Sequence, residues 1–342
     1  MSRTIVLATL SLVLGIAALG AVMMLGSAGG RAARAAGPAN SAGPAGPGQA
    51  AQPAAADHAA QMAAPDHAAQ MAAPDQAAQM AAPDQAAQMA AEHQHDHPAA
   101  TPAATAAPAQ PVTGEEVDFG EVQGRQARGY LARPQAKRAG ALPGLIVIHE
   151  WWGLNDNIRA VTRRLAGEGY TALAVDLYGG KVADNPDAAK QLMSGVMANR
   201  EAATAVLRAA DDYLKKQGAP KVGVIGWCFG GGWSLATAID EAPGIDAAVM
   251  YYGQPEKDRA RLERLRAPLL GLFGADDKSI PPAAVRELES TLKSLGKSVD
   301  IHIYEGAGHA FANPSGTNYR PAAADDAWKR TVAFFHHNLQ GA

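Results

Sequence analysis

The chain has 342 residues, a formal net charge of −3 and one cysteine. That single cysteine excludes internal disulfides and cysteine-built zinc sites, and charges so nearly balanced leave no electrostatic footprint for nucleic acid. Residues 1–118 contain no Phe, Trp or Tyr and carry three arginines, no lysine and nine acids. A segment of that kind, rich in Ala, Pro, Gln and Gly, cannot bury enough apolar surface to offset its ordering entropy. The folded part is therefore expected over 113–342, one domain of about 230 residues with a full core.

Residues 4–26 are uncharged and almost wholly apolar, with Arg3 before them and Arg31 and Arg34 after. The stretch exceeds the usual core of a signal peptide and approaches a spanning helix, so residues 1–30 read equally as a cleaved signal or a retained anchor. Either outcome implies an exported protein, periplasmic or extracellular, if the N-terminus stays inside. The N-terminal helix is the one candidate for membrane contact.

Residues 31–112 read as a linker, with nine-residue repeats over 57–91 of the form Asp-His/Gln-Ala-Ala-Gln-Met-Ala-Ala-Pro. A proline every nine residues prevents any helix long enough to stand alone in water. The plain reading is a spacer. The sharper one is metal capture: His58, His67, His93, His95 and His97, with Met62, Met71, Met80 and Met89, offer imidazole and thioether ligands that suit copper. Gln replaces His in two of the four repeats, and nothing pre-organises the ligands, so these histidines are weak candidates. No metal site is expected within the domain.

From residue 117 onward, apolar β-branched runs alternate with helical patterns. This predicts an α/β fold, a mostly parallel sheet with helices on both faces. Strands are expected at Val117–Val122 and Gln126–Arg133 (a hairpin), Leu145–His149, Thr171–Asp176, Val222–Trp227, Ala247–Tyr252, Pro268–Phe273 and Asp300–Tyr304. Helices are expected at about 157–168, 199–216, 230–239, 282–295 and 323–338. In such sheets ligands gather at the carboxyl ends of the strands.

Three of those ends carry chemistry. The strand from Val222 runs into Gly226-Trp227-Cys228-Phe229-Gly230-Gly231-Gly232, a nucleophile elbow with cysteine in place of serine. The helix that follows lends electrostatic support to a negative nucleophile. After Phe273, the loop Gly274-Ala275-Asp276-Asp277 supplies an orienting acid, with Asp277 favoured over Asp276. After Tyr304, His309 stands on a small-residue loop, where a general base can pair with both. His149, ending a strand, reads as structural.

Together, His149-Glu150-Trp151-Trp152-Gly153, the cysteine elbow, the aspartate loop and Gly308-His309-Ala310-Phe311 resemble the dienelactone hydrolase family, a branch of the α/β-hydrolase fold with a Cys-His-Asp triad. The resemblance spans about residues 114–339. It implies Cys228 as nucleophile, His309 as base and Asp277 as its partner. It further implies Glu150 as a glutamate that interacts with the resting cysteine, and the N–H groups of Phe229 and Trp151 as the oxyanion hole. The substrate would be a small ester or lactone, with no cofactor.

One departure stands out. Family members acting on chlorocatechol products clamp a substrate carboxylate with arginines, and one of these falls where this chain has Asn313. The region 185–192 expected to supply another has only Lys190. Without a bidentate clamp, Trp151, Trp152 and Trp227 suggest an apolar or aromatic-lined pocket, with Trp152, Lys190 and Asn313 as substrate-binding candidates. The alternative function is an exported copper-binding protein whose hydrolase-like domain is inactive or secondary.

Overall fold

The computed structural model describes Ala91, His93, Asp96 and residues 99–101, 106–136, 140–241 and 243–341. The apolar stretch 4–26, the repeats up to residue 90, and His58, His67, His95 and His97 lie outside the described residues. Among the described residues no helix is long and apolar enough to cross a membrane, and no group of three or more His, Cys, Asp or Glu is placed to hold a metal ion.

Strands β1 (Val112–Val122) and β2 (Arg125–Pro134) pair as an antiparallel hairpin. Its turn, Gln123-Gly124, has positive φ at both residues (51° and 74°). A two-residue turn needs this if its twist is to match that of the flanking strands. There follow β3 (Gly144–Ile148), α1 (Asp156–Gly167), β4 (Thr171–Val175), α2 (Pro186–Ala198) and α3 (Arg200–Lys216). Next come β5 (Val222–Trp227), α4 (Phe229–Asp240), β6 (Ala247–Tyr251), the short α5 (Arg259–Glu263) and β7 (Leu269–Gly274). The chain closes with α6 (Pro282–Ser294), β8 (Val299–Tyr304), α7 (Pro321–Phe335) and a π-helical turn (His336–Gln340).

Helices α2 and α5 are additions to the elements expected from sequence. Helix α2 buries only Ala189 and Met193, so its apolar stripe is too narrow to stand out. Its start signals are nonetheless complete. Asn185 accepts a hydrogen bond from the Ala188 N–H at 2.9 Å, Pro186 follows the cap, and Asp187 lies in the first turn.

The eight strands form one sheet in the order β1-β2-β4-β3-β5-β6-β7-β8. Pairing is antiparallel from β1 to β4 and parallel from β4 to β8. Strands β3 to β7 are buried along their whole length, which is why they read as continuous apolar runs. The step from β3 to β4 runs one way across the sheet, and every later step runs the other way. Right-handed crossovers then put α1 on one face and α2 to α6 on the opposite face. Helix α7 returns to the α1 face, where the Arg164 guanidinium stacks over Trp328 at 4.0 Å. The reversal lies between β3 and β5, so the carboxyl ends of these two strands define the crevice where a ligand belongs.

Packing onto the domain begins before β1. Gln110 donates to the Gly167 carbonyl at 2.7 Å, Thr101 donates to the Pro314 carbonyl at 3.0 Å, and Asp96 accepts from the N–H and the hydroxyl of Thr317 at 2.7 and 2.9 Å. These described parts of the stretch read as a spacer are tied down by polar groups meeting loop donors and acceptors. The aromatic boundary at Phe119 is blind to that kind of attachment.

Candidate active site

Strand β5 ends at Trp227, and Cys228 makes the turn into α4 with φ 54° and ψ −118°. A side-chain-bearing residue held there costs roughly 1–3 kcal/mol and persists only where its surroundings over-determine it. Here they do. The Cys228 N–H donates to the Tyr251 carbonyl at 3.0 Å, and its own carbonyl accepts from Gly231 and Gly232 at 3.0 and 3.2 Å. A Cβ on Gly226 would collide with the Gly230 backbone, one on Gly230 with the Ile148 carbonyl, and one on Gly231 with the Tyr251 carbonyl. The glycines of the motif thus let β3, β5, β6 and α4 converge on the cysteine. Phe229 opens α4, where backbone N–H groups lack intrahelical acceptors, and Trp151 follows Glu150 just beyond β3.

The loop after β7 brings Asp277 to His309. One Asp277 oxygen accepts from the Ser279 and Ile280 N–H groups at 2.9 and 2.8 Å, and the other meets His309 Nδ1 at 2.8 Å. Both side chains are buried, whereas Asp276 is exposed and only its backbone N–H is engaged, by the Ala307 carbonyl. With Nδ1 engaged by Asp277, His309 presents its buried Nε2 to Cys228, whose side-chain hydrogen bond is among the causes that raise the ring's pKa. Burial opposes a charge on this ring. The negative charges of Cys228 and Asp277 outweigh it and raise the His309 pKa well above the ordinary imidazole value.

Glu150 is buried at the end of β3. Its two oxygens accept from Tyr252 Oη at 3.3 Å and Asn313 Nδ2 at 2.7 Å. Burial pushes its carboxyl up to about 7, nearby His309 pulls it down, and Asp96 adds to the rise. The carboxylate that the resemblance pairs with the resting cysteine is therefore held by Tyr252 and Asn313 here. A buried carboxylate needs donors, and the Asn313 amide supplies one while lining, with Glu150, the same cavity.

The other expected residues separate. Trp151 and Trp152 are buried and pack edge to face at 5.0 Å. Trp227 walls a cavity of about 210 Å³ beside Glu150 and Asn313, together with Arg164, Tyr252 and Trp328. Lys190 is half-buried on α2 and does not line it. His149 is structural: its Nδ1 donates to the Glu150 carbonyl at 2.6 Å and its Nε2 accepts from the Leu177 N–H at 3.2 Å, tying the ends of β3 and β4 together.

Two features go beyond the sequence reading. Tyr252, with φ 35°, holds Glu150 and packs its ring 5.2 Å from that of His309. No motif announces it beyond its place at the end of β6. His93, read as a weak metal candidate, instead bonds through Nδ1 to Asp96 at 2.6 Å and packs 5.4 Å from the rings of both Trp151 and His309.

A mostly parallel eight-stranded sheet, with a nucleophile-type turn after β5 and an Asp–His pair from the last two strand ends, defines an α/β-hydrolase-like protein. Residues 127–339 match the profile of the dienelactone hydrolase family. The chain belongs to the dienelactone hydrolase family. It is 39% identical over 234 residues to Protein usf of Aquifex pyrophilus, covering 66% of this chain and 99% of that one. It is 33% identical over 235 residues to a protein of Aquifex aeolicus (strain VF5) provisionally named carboxymethylenebutenolidase, covering 66% of this chain and all of the relative. A crystal structure from Klebsiella pneumoniae subsp. pneumoniae MGH 78578, provisionally titled a dienelactone hydrolase, superimposes with a TM-score of 0.61 at 31% identity, covering 66% of this chain and 99% of that one.

Proposed function

We propose that this chain hydrolyses small carboxylic esters or lactones through a cysteine nucleophile. The observation that carries the reading is Cys228 held in a strained turn, with its charge felt by a His309 that Asp277 orients. His309 Nε2 takes the Cys228 thiol proton, the thiolate attacks the substrate carbonyl, a C–S bond forms, and the carbonyl π electrons move onto oxygen. The Phe229 and Trp151 N–H groups receive that oxyanion. Its collapse breaks the C–O bond, and the leaving alkoxide takes a proton from His309 Nε2. Water then gives a proton to His309 and attacks the thioester, which releases the acid and returns the thiolate. The Aquifex aeolicus relative's name supports a lactone or ester carbonyl as the target.

The test is acyl trapping. The full chain mixed with p-nitrophenyl acetate should gain one acetyl group on Cys228, read by peptide mass. Cys228→Ala should lose that adduct, and its kcat should fall by at least about 10³-fold. Equal turnover in both proteins would remove the covalent route.

A further inference from the structure

Cys228 and His309 are only 5% and 2% exposed, and part of what packs on His309 comes from outside the family-matched region. His93 lies 34 residues before that region begins. Its ring lies 5.4 Å from the rings of both Trp151 and His309. It is fixed from behind. Asp96 Oδ2 holds Nδ1 at 2.6 Å, and Asp96 Oδ1 is itself held by the Thr317 N–H and hydroxyl. Thr101 anchors the same stretch to Pro314. Burial works against a charge on Asp96, but the bonds from His93 and Thr317 outweigh it and keep this carboxyl below the usual range. In the tautomer whose Nδ1–H donates to Asp96, Nε2 is the acceptor.

That acceptor is buried and has no partner. The neighbouring ring, His309, turns its own buried Nε2 to Cys228. Leaving a polar atom buried and unmet costs about 1–3 kcal/mol, a cost that a bound group with a donor would relieve. Beside an attacking sulfur, the part of an ester nearest to such an acceptor is the acyl chain next to the carbonyl.

We propose that His93 is a specificity-determining side chain of this active site. It roofs Cys228 and His309 and accepts a hydrogen bond from a hydroxyl on the acyl carbon next to the scissile carbonyl. The proposal rests on the reading of Cys228 as nucleophile. The favoured substrates are compact hydroxyacyl esters or lactones. Plain alkyl esters of the same size lack the donor, and bulky acyl groups meet the ring.

The test uses the full chain and two nearly isosteric substrates, phenyl 2-hydroxyacetate and phenyl propanoate, with each kcat/KM divided by the ester's rate with hydroxide. The wild type should favour the hydroxyacetate by about fivefold to tenfold, the worth of one net hydrogen bond. His93→Phe keeps the ring's bulk and should lose the preference. His93→Ala should lose it too, and should also speed alkylation of Cys228 by iodoacetamide several-fold. Because the chain has one cysteine, that rate reports the roof alone. Equal melting temperatures establish that each variant is folded. A preference unchanged within twofold in both variants overturns the proposal. If no ester is turned over, the reaction assignment fails by itself. The alkylation rate then decides the placement of His93: a rise in His93→Ala sustains the roof, and no change removes it.

Discussion

At the scale of single residues, strain and burial concentrate around one cysteine. Of the four non-glycine residues with positive φ among the described residues, Gln123 belongs to the β1–β2 turn, while Cys228, Tyr252 and Ala310 flank or form the site. Each is held there by packing that the rest of the fold supplies. Glu150 shows the same logic in its ionisation. Its carboxyl is pushed up to about 7 from an ordinary 4.5, chiefly by burial. Between those two values the folded chain binds more protons than the unfolded one, so stability falls as pH rises through that window. Glu150→Gln removes the titration while keeping a group that Tyr252 and Asn313 can meet. Melting curves should show the variant gaining on the wild type between pH 5 and pH 8, with a ceiling of about 3 kcal/mol. A difference that stays constant over that range would mean that the carboxyl ionises without penalty. Cys228, Asp277 and His309 were legible because each is announced by its own loop. Tyr252, His93 and Asp96 were not, because their roles arise from contacts 57 to 221 residues away along the chain, which no local pattern encodes.

At the scale of elements, glycine separates sites where backbone must touch backbone from sites where it merely weakens a helix. Gly226, at the penultimate position of β5, faces the Gly230 backbone so closely that any Cβ collides. Gly195, inside α2, is exposed and has nothing within 4 Å of where a Cβ would stand. Gly195→Ala should therefore raise stability by about 0.5–1 kcal/mol through helix propensity. Gly226→Ala should cost at least about 3 kcal/mol, or prevent folding, because neither strand nor helix can retreat without opening the elbow. Paired denaturant titrations decide this. Similar small effects at both positions would show that the elbow is looser than its geometry. The strands were readable for a related reason, since β3 to β7 are buried on both faces and so carry unbroken apolar runs. Helix α2 escaped notice because it buries two residues, although its Asn-Pro-Asp start is a complete capping signal.

At the scale of the whole molecule, chain order explains why one crevice collects Glu150, Cys228, Asp277 and His309. The order of strand addition reverses between the parallel neighbours β3 and β5, so the loop bearing Glu150 and the turn bearing Cys228 emerge side by side, and the loops after β7 and β8 deliver Asp277 and His309 to the same edge. Composition puts the expected start of this domain near residue 113, close to the first aromatic, Phe119. A boundary drawn at the first aromatic counts apolar burial, whereas residues upstream attach through Asp96, Thr101 and Gln110. Ordering such a stretch costs backbone entropy of about 1–2 kcal/mol per residue, and its few polar bonds make it the part of the chain easiest to open. Opening easily is not the same as being open, and a protease tells the two apart. Brief digestion of the full chain with a broad-specificity protease should leave a core whose first residue lies at or before His93. Asp96→Ala, which removes the partner of both His93 and Thr317, should move that first residue beyond Thr101 without lowering the melting temperature of the sheet. A wild-type core that already starts between residues 102 and 111 would show that the upstream stretch is not held. The hydrolase domain would then begin at its first hairpin after all.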